Sequence, residues 1–145
     1  MKILNKKLGY TLMEMMIVVV IISLIAVAGI PYYRGHVERQ KTASGITTLR
    51  AISDSVERYM AMHNETLPTN FSFDLIDAEL DPTKLSADHT TYNDGVFTFS
   101  VTGGFVTANR NTGSYALSYS LTNSAFSCEP EDYCTNTLNV SCSDL

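Results

Sequence analysis

Glu14 is the residue of this sequence whose type and position most need a chemical explanation. Sixteen uncharged and mostly apolar residues, Met15 to Ile30, follow it directly. An unpaired carboxylate is costly in apolar surroundings. A carboxylate and a cation, in contrast, attract each other far more strongly in apolar surroundings than in water. Glu14 is therefore expected either to lie at a membrane surface or to meet a cation.

Cysteines are the second group that could do chemistry, and all three lie in the last 18 residues. Clustering of this kind after an apolar segment indicates an oxidising compartment and one disulfide, with one thiol left over. The residues themselves leave the pairing open among Cys128, Cys134 and Cys142.

Metal, cofactor and catalytic sites are not expected. The three histidines lie far apart in the sequence, and the acidic residues between positions 74 and 94 follow no calcium-loop pattern. Neither a G-x-S-x-G motif nor a phosphate-binding P-loop occurs. We therefore expect a protein that is not an enzyme and that has no metal and no cofactor.

The element that carries Glu14 is long enough to cross a membrane as a helix. Nineteen uncharged residues, Met15 to Tyr33, span roughly 28 Å at the helical rise of about 1.5 Å per residue. Eleven Leu, Ile or Val residues between Leu12 and Ile30 offer about −3 to −7 kcal/mol of insertion free energy, against a cost of roughly 3 kcal/mol for one charge. Two simple interpretations are a plain membrane anchor and a secretory signal that is cut at the small residues 26–28.

A third interpretation takes in the residues around Glu14 together. The N-terminus of type IV pilins and of the related secretion pseudopilins resembles the stretch GYTLMEMMIVVVIISLIAVAGIPYY. That family has a short basic leader ending in glycine, an aromatic residue, Thr-Leu, a glutamate four residues beyond the aromatic, and an apolar helix with a proline near its end. Here these positions are Gly9, Tyr10, Thr11-Leu12, Glu14 and Pro31. The resemblance covers about the first 40 residues, and tyrosine replaces the usual phenylalanine.

The resemblance implies how the chain is processed and assembled. A membrane-embedded prepilin peptidase would cut after Gly9, so that residues 1–9 are a leader and Tyr10 becomes an N-methylated first residue. Glu14 would pair with the terminal amine of a neighbouring subunit and set the axial register of a filament. The implied partners are identical or related subunits, the peptidase and an inner-membrane assembly platform.

The same resemblance implies a disulfide that closes the C-terminal segment. We expect Cys128 to be bonded, with Cys134 the favoured partner because a loop this short closes readily. Cys142 is the alternative partner, and it would enclose the whole tail.

One long helix is predicted over residues 10–62, with a transmembrane and assembly part at about 12–33. Apolar residues recur at steps of three and four between Ile46 and Met60. Pro31 lacks a backbone donor and clashes with the preceding turn, so a bend is expected there. Gly45 is interpreted as a glycine that a long helix merely tolerates.

Residues 63–145 are predicted to form a globular head. Alternation of apolar and polar residues predicts strands at 97–101 and 115–121, and the stretch FVTAN at 105–109 is the strand between them. Turns are predicted at Gly103-Gly104 and at 111–113. These segments form an antiparallel meander of three or four strands with one apolar face. The apolar stripe of the long helix is the natural cover for that face, so the predicted fold class is α+β and pilin-like.

Charge is divided unevenly along the chain. Residues 1–50 carry seven Lys or Arg and two Asp or Glu, whereas residues 51–145 carry three and thirteen. An N-terminal part near a membrane and an acidic part in water fit this division. Because phosphate backbones would repel the acidic head, it is not expected to bind nucleic acid.

The family resemblance implies a type IV pilin, major or minor, that is made as an inner-membrane precursor and polymerised into an extracellular filament. A pseudopilin of a type II secretion or DNA-uptake system, in a periplasmic filament, is the alternative within the family. A secreted or membrane-anchored binding domain is the alternative from another class.

Overall fold

The structure is a computed structural model, and it describes residues 10–64 and 66–135. It contains one long helix, a five-stranded sheet, two short 3₁₀ turns and one short helix. The elements in chain order are α1 Leu12–Met62, the 3₁₀ turns Phe73–Leu75 and Pro82–Lys84, β1 Thr91–Asn93, β2 Phe97–Thr102, β3 Phe105–Arg110, β4 Ala116–Ser120, β5 Ala125–Glu129 and α2 Glu131–Tyr133.

The chain divides into two compact units, Met1–His36 and Val37–Leu145. In the described part of the first unit, the backbone is helical from Leu12 onward. The second unit, which we call the head, contains the rest of α1, all five strands and α2.

The sheet of the head is an antiparallel meander in the order β1-β2-β3-β4-β5. Between β2 and β3, Gly103 and Gly104 adopt positive φ angles of 61° and 83°, which glycine reaches without steric cost. The predicted turn at this pair is therefore confirmed. The prediction of three or four strands is wrong, because β1 and β5 complete a sheet of five.

The two unpredicted strands lie at the edges of the sheet, where little of their surface is covered. In β1 only Tyr92 is buried, and in β5 only Cys128 is buried. A strand with one buried side chain shows little alternation of apolar and polar residues, and alternation was the signal used to find strands. The edge strands were missed for this reason.

The core of the head lies between α1 and one face of the sheet. Leu49, Ile52 and Val56 on α1 are fully buried and belong to the same hydrophobic cluster as the inward side chains of β2, β3 and β4. The fully buried members on the strands are Phe97, Phe99, Val106 and Ala108. The predicted α+β class, with a helical stripe over an antiparallel sheet, is confirmed.

Gly45 has a packing role, which corrects its interpretation as a tolerated helix glycine. A Cβ atom at this position would lie 2.6 Å from Cε2 of Phe97 and 2.9 Å from its Cδ2. Phe97 is fully buried, and its ring also contacts the rings of Phe99 and Tyr115 and the guanidinium of Arg110. Because the ring is held on several sides, only glycine allows α1 to approach β2 this closely.

Replacing Gly45 by alanine is expected to lower the free energy of unfolding of the head by about 1–2 kcal/mol. Overpacking of a tight core costs roughly 1–3 kcal/mol, and the better helix propensity of alanine returns up to about 1 kcal/mol. Urea denaturation of the detergent-solubilised chain measures the difference. Gly35→Ala is the matched control, since nothing lies within 4 Å of its added Cβ and only the propensity gain remains. Equal stability changes in the two variants would contradict the packing role.

Candidate functional site

The first turn of α1 is closed by a reciprocal pair of hydrogen bonds between Thr11 and Glu14. The Thr11 N–H and hydroxyl donate to Oε2 of Glu14 at 2.7 and 2.9 Å, and the Glu14 N–H donates to the Thr11 hydroxyl at 3.2 Å. This is a capping box, in which threonine and a glutamate three residues later satisfy free donors at a helix start. Sequence reasoning missed this second role of Glu14, although the letters TLME carry the signature.

The capping box uses only one of the two carboxylate oxygens of Glu14. Within residues 10–64 and 66–135, no hydrogen bond is made by Oε1. Beside the carboxylate lies an open groove of about 560 Å³, lined by Tyr10, Glu14, Met15 and Val18. One oxygen thus stabilises the helix of its own chain, while the other is left for a partner in mostly apolar surroundings.

The helix beyond Glu14 carries an uninterrupted apolar surface. Every large apolar side chain described between Leu12 and Ile30 is 47–79 % exposed. An apolar surface of this extent marks contact with a membrane or with other proteins. It is the natural setting for the predicted membrane and assembly part of the helix.

No single helix of the described chain passes a length and hydropathy test for a membrane span. Two segments of α1, Leu12–Val27 and Tyr32–Met62, pass it together by length and composition. The membrane span at about 12–33 and the bend at Pro31 both stay predictions.

The predicted processing and disulfide residues are described in part. Tyr10 is 80 % exposed at the start of the described chain, next to the capping box. Gly9 and Cys142 lie outside the described residues. Cys128 and Cys134 are joined by a disulfide, with 6.2 Å between their Cα atoms, which is the pairing favoured from the sequence.

A second polar group, which we call the clamp, ties α1 to the sheet at the start of the head. Arg110, at the end of β3, donates from Nε to Oε1 of Glu38 at 2.6 Å and from Nη2 to Oε2 at 3.3 Å. Its Nη1 donates to the carbonyl of Val96 at 2.8 Å. Arg110 is 7 % exposed, so its charge depends on these acceptors in place of water.

Two α1 residues share the clamp with the sheet through Tyr115. The Tyr115 hydroxyl lies 2.7 Å from the Thr42 hydroxyl, and it donates a long hydrogen bond of 3.5 Å to Oε1 of Glu38. The hydrogen bond from Arg110 lowers the pKa of Glu38 below its ordinary value, and burial raises the pKa of Tyr115. The clamp is thus an ion pair completed by a neutral phenol.

The clamp was missed from the sequence, although one signal points to it. Val106, Ala108 and Arg110 occupy the inward register of β3, and all three are buried. A charged residue at an inward position of a strand needs a partner of opposite charge. That partner, Glu38, lies 72 residues away in the chain.

At the opposite end of the sheet, α1 is held by different contacts. Glu57 accepts a hydrogen bond of 2.8 Å from the Tyr119 hydroxyl. Ser55 donates to the carbonyl of Asp77 at 3.3 Å, and Nη2 of Arg58 donates to the Ser55 hydroxyl at 3.0 Å. Besides the core packing between them, two separate sets of polar contacts therefore tie α1 to the rest of the head.

Histidine and the acidic residues do not build a metal centre in the part of the chain that the structure describes. There, no group of three or more His, Cys, Asp or Glu residues is arranged to hold an ion. Nδ1 of His89 lies 2.6 Å from Oδ2 of Asp74, but both side chains are exposed. This contact is a surface pair between two loops.

Comparison with known proteins finds a family model and a curated relative that each match part of the chain. The family model described as the prokaryotic N-terminal methylation motif matches residues 4–30. A curated relative, the type II secretion system core protein G of Vibrio cholerae serotype O1, is 32% identical over 69 residues. That match covers 48% of this chain and 47% of the relative, so the chain spans about half the length of the curated relative it matches. No solved structure matches the chain.

The long helix, the five-stranded head and the matched motif define a pilin-like structural protein, and such proteins are not enzymes. In its N-terminal motif and in its curated relative, the chain is similar to the type IV pilin and pseudopilin family.

Proposed function

We propose that this chain is a type IV pilin subunit that is made as an inner-membrane precursor and polymerised into an extracellular filament after its leader is removed. The methylation motif over residues 4–30 supports the processing step. The exposed apolar helix supports both membrane residence before assembly and packing against like subunits afterwards. Prepilin peptidase and an inner-membrane assembly platform are the further partners proposed.

The arrangement around Glu14 carries the proposal. Cleavage after Gly9 would leave a terminal amine on Tyr10, one helical turn from the carboxylate. One oxygen of Glu14 is used by the capping box, and the groove beside it is lined by apolar side chains. A cation that enters this groove from a neighbouring subunit would meet the second oxygen in low-dielectric surroundings, where attraction is strong. Glu14 would then select the axial register at which subunits stack.

Processing gives the first test of this function. The mature chain is expected to begin at Tyr10 with a methylated amine and to contain 136 residues, which is 145 minus the nine of the leader. Loss of Lys2, Lys6 and Lys7 changes the formal net charge from −5 to −8. Mass spectrometry of the N-terminal peptide measures both changes. A start at Gly29 would instead identify a secretory signal, and an intact Met1 would identify a plain membrane anchor.

A pseudopilin of a type II secretion system is the second candidate, because the curated relative is named as a core protein of such a system. The two candidates differ in where the filament lies. Immunogold labelling of intact cells, compared with cells whose outer membrane has been permeabilised, separates them. Labelled surface fibres on intact cells support the pilin, and labelling that requires permeabilisation supports the pseudopilin.

A further inference from the structure

The disulfide closes a small loop at the end of the sheet. Cys128 lies on β5 and Cys134 follows α2, and their exposed fractions are 3 % and 0 %. The backbone N–H groups of Tyr133 and Cys134 both donate to the carbonyl of Pro130, at 3.1 and 3.2 Å. The position of Tyr133 is therefore set by the covalent bond next to it and by one shared carbonyl.

Tyr133 connects this loop to the clamp. Its ring stacks on the ring of Tyr115, with 5.3 Å between the centroids and 21° between the planes. The Tyr115 ring also packs edge-to-face with the ring of Phe97, with 5.8 Å between the centroids. The Tyr115 hydroxyl reaches α1 at Thr42 and Glu38, so one phenol ring separates the disulfide-closed loop from the helix.

We propose that the disulfide-closed loop is a brace for α1, in which Tyr133 is the positioning residue that keeps Tyr115 on α1. With the bond intact, the rings of Tyr133 and Phe97 both pack on Tyr115 and restrict its motion, and the clamp stays assembled. When the bond is opened, α2 loses its covalent tie to β5, Tyr133 moves away, and α1 loosens over residues 38–45.

The opening step requires a dithiol reductant. One thiolate of the reductant attacks a sulfur of the Cys128–Cys134 bond and forms a mixed disulfide, and the second thiolate then displaces the remaining protein sulfur. The reductant becomes a cyclic disulfide, and the protein gains two electrons and two protons as two thiols. Reoxidation by a disulfide oxidant reverses the step and restores the brace.

The brace acts on one of the two sets of polar contacts that tie α1 to the rest of the head. At the opposite end of the sheet, Glu57 is bonded to Tyr119, and the rings of Tyr119 and Phe126 pack at 4.7 Å. Among the described residues, no hydrogen bond or ring contact joins this second set of contacts to Tyr133. Opening the disulfide should therefore loosen α1 unevenly, with residues 38–45 affected and residues 52–59 retained.

Loosening has a consequence for assembly, and this step rests on the proposed function. The clamp holds the first residues of α1 that belong to the head, directly after the unit that ends at His36. If α1 is held less rigidly at residues 38–45, the position of the head relative to its own helix is less well defined. Neighbouring heads in a filament would then pack less regularly. A subunit without the brace would therefore assemble into a less ordered filament.

Hydrogen exchange with mass spectrometry on the full chain in detergent tests the brace without requiring filaments. In Cys128→Ser/Cys134→Ser and in the dithiothreitol-treated chain, amides of residues 38–45 are expected to exchange roughly two- to tenfold faster, the factor that an aromatic pair contributes. Amides of residues 52–59 should exchange at the rate of the untreated chain. Equal acceleration in both segments, or none in residues 38–45, would overturn the proposal.

Tyr133 variants keep the test decisive if the serine variant fails to fold. Tyr133→Ala removes the stacked ring while leaving the disulfide intact, and it should reproduce the faster exchange of residues 38–45. Tyr133→Phe keeps the ring and should restore the slow rate. Unchanged exchange in Tyr133→Ala would show that the ring does not transmit the effect. Failure of N-terminal processing would instead count against the proposed function and leave these exchange rates unaffected.

Discussion

Replacing Glu14 by alanine is expected to abolish or strongly reduce filaments while leaving cleavage after Gly9 and membrane insertion intact. The variant removes the anion that the proposed function pairs with the amine of a neighbouring subunit. In apolar surroundings such a pair is worth more than about 1.4 kcal/mol, so the filament yield should fall at least about tenfold. Insertion should be unimpaired or improved, because a costly charge is gone. Filaments sheared from cells and quantified against the membrane-bound pool measure the effect.

Two further variants separate the charge of Glu14 from its role in the capping box. Glu14→Gln keeps a side chain that serves in a capping box but removes the charge, so it should lose filaments like the alanine variant. Thr11→Val removes the hydroxyl of the box but keeps the carboxylate, so it should retain most filaments. The opposite result, with normal filaments in Glu14→Gln and none in Thr11→Val, would assign the defect to the helix cap. Normal filaments in Glu14→Ala would show that assembly requires neither the charge of Glu14 nor its capping box.

Replacing Glu38 by alanine is expected to lower the free energy of unfolding of the head by about 2–3 kcal/mol. The change leaves the Arg110 guanidinium buried with the Val96 carbonyl as its one remaining hydrogen-bond acceptor among the described residues. Breaking a buried ion pair costs roughly 3–5 kcal/mol, and partial exposure of the Glu38 side chain reduces that figure. Urea denaturation of the detergent-solubilised chain measures it.

Lys41 provides the matched control for the clamp. Its Nζ lies 3.8 Å from Oε2 of Glu38 and its side chain is 40% exposed, so Lys41→Ala should change stability by less than about 0.5 kcal/mol. A double variant, Glu38→Ala/Arg110→Met, should be less destabilised than the sum of the single variants, because no buried charge is left unpaired. Additive effects would contradict the ion pair.

The clamp also makes the free energy of unfolding of the head depend on pH. The pKa of Glu38 is lowered by its hydrogen bond with Arg110, so folding favours the ionised form. This contribution is present in full above the ordinary glutamate pKa of about 4.3 and is lost as the pH falls through the lower folded value. The stability difference between the wild-type chain and Glu38→Gln should therefore be constant near neutral pH and shrink below about pH 4.

The proposed function rests mainly on residues that lie near one another in the chain. Tyr10, Thr11 and Glu14 lie within one helical turn, so their spacing in the sequence is also their spacing in space. The capping box is also a local feature, because its threonine and glutamate are three residues apart in the sequence TLME. The apolar run is equally local, since its length and composition already indicate a membrane and assembly segment.

Periodicity also specified the central architecture. Steps of three and four between Ile46 and Met60 predicted the buried stripe of α1, and alternation at 97–101 predicted the inward face of β2. These patterns report a buried face, because a side chain that is covered must be apolar. They fail where little is covered, which is why the edge strands β1 and β5 escaped detection.

Only the tertiary structure decided the contacts between residues distant in the chain. Gly45 looks like any helix glycine until the ring of Phe97 is placed against it, and Glu38 looks like a surface charge until Arg110 approaches from β3. The proposed role of Tyr133 likewise depends on its ring contact with Tyr115, which no local pattern in the sequence indicates. The physical reason is common to all three pairs. Each depends on where the helix lies over the sheet, and that position is set by packing of the whole core and not by any local pattern.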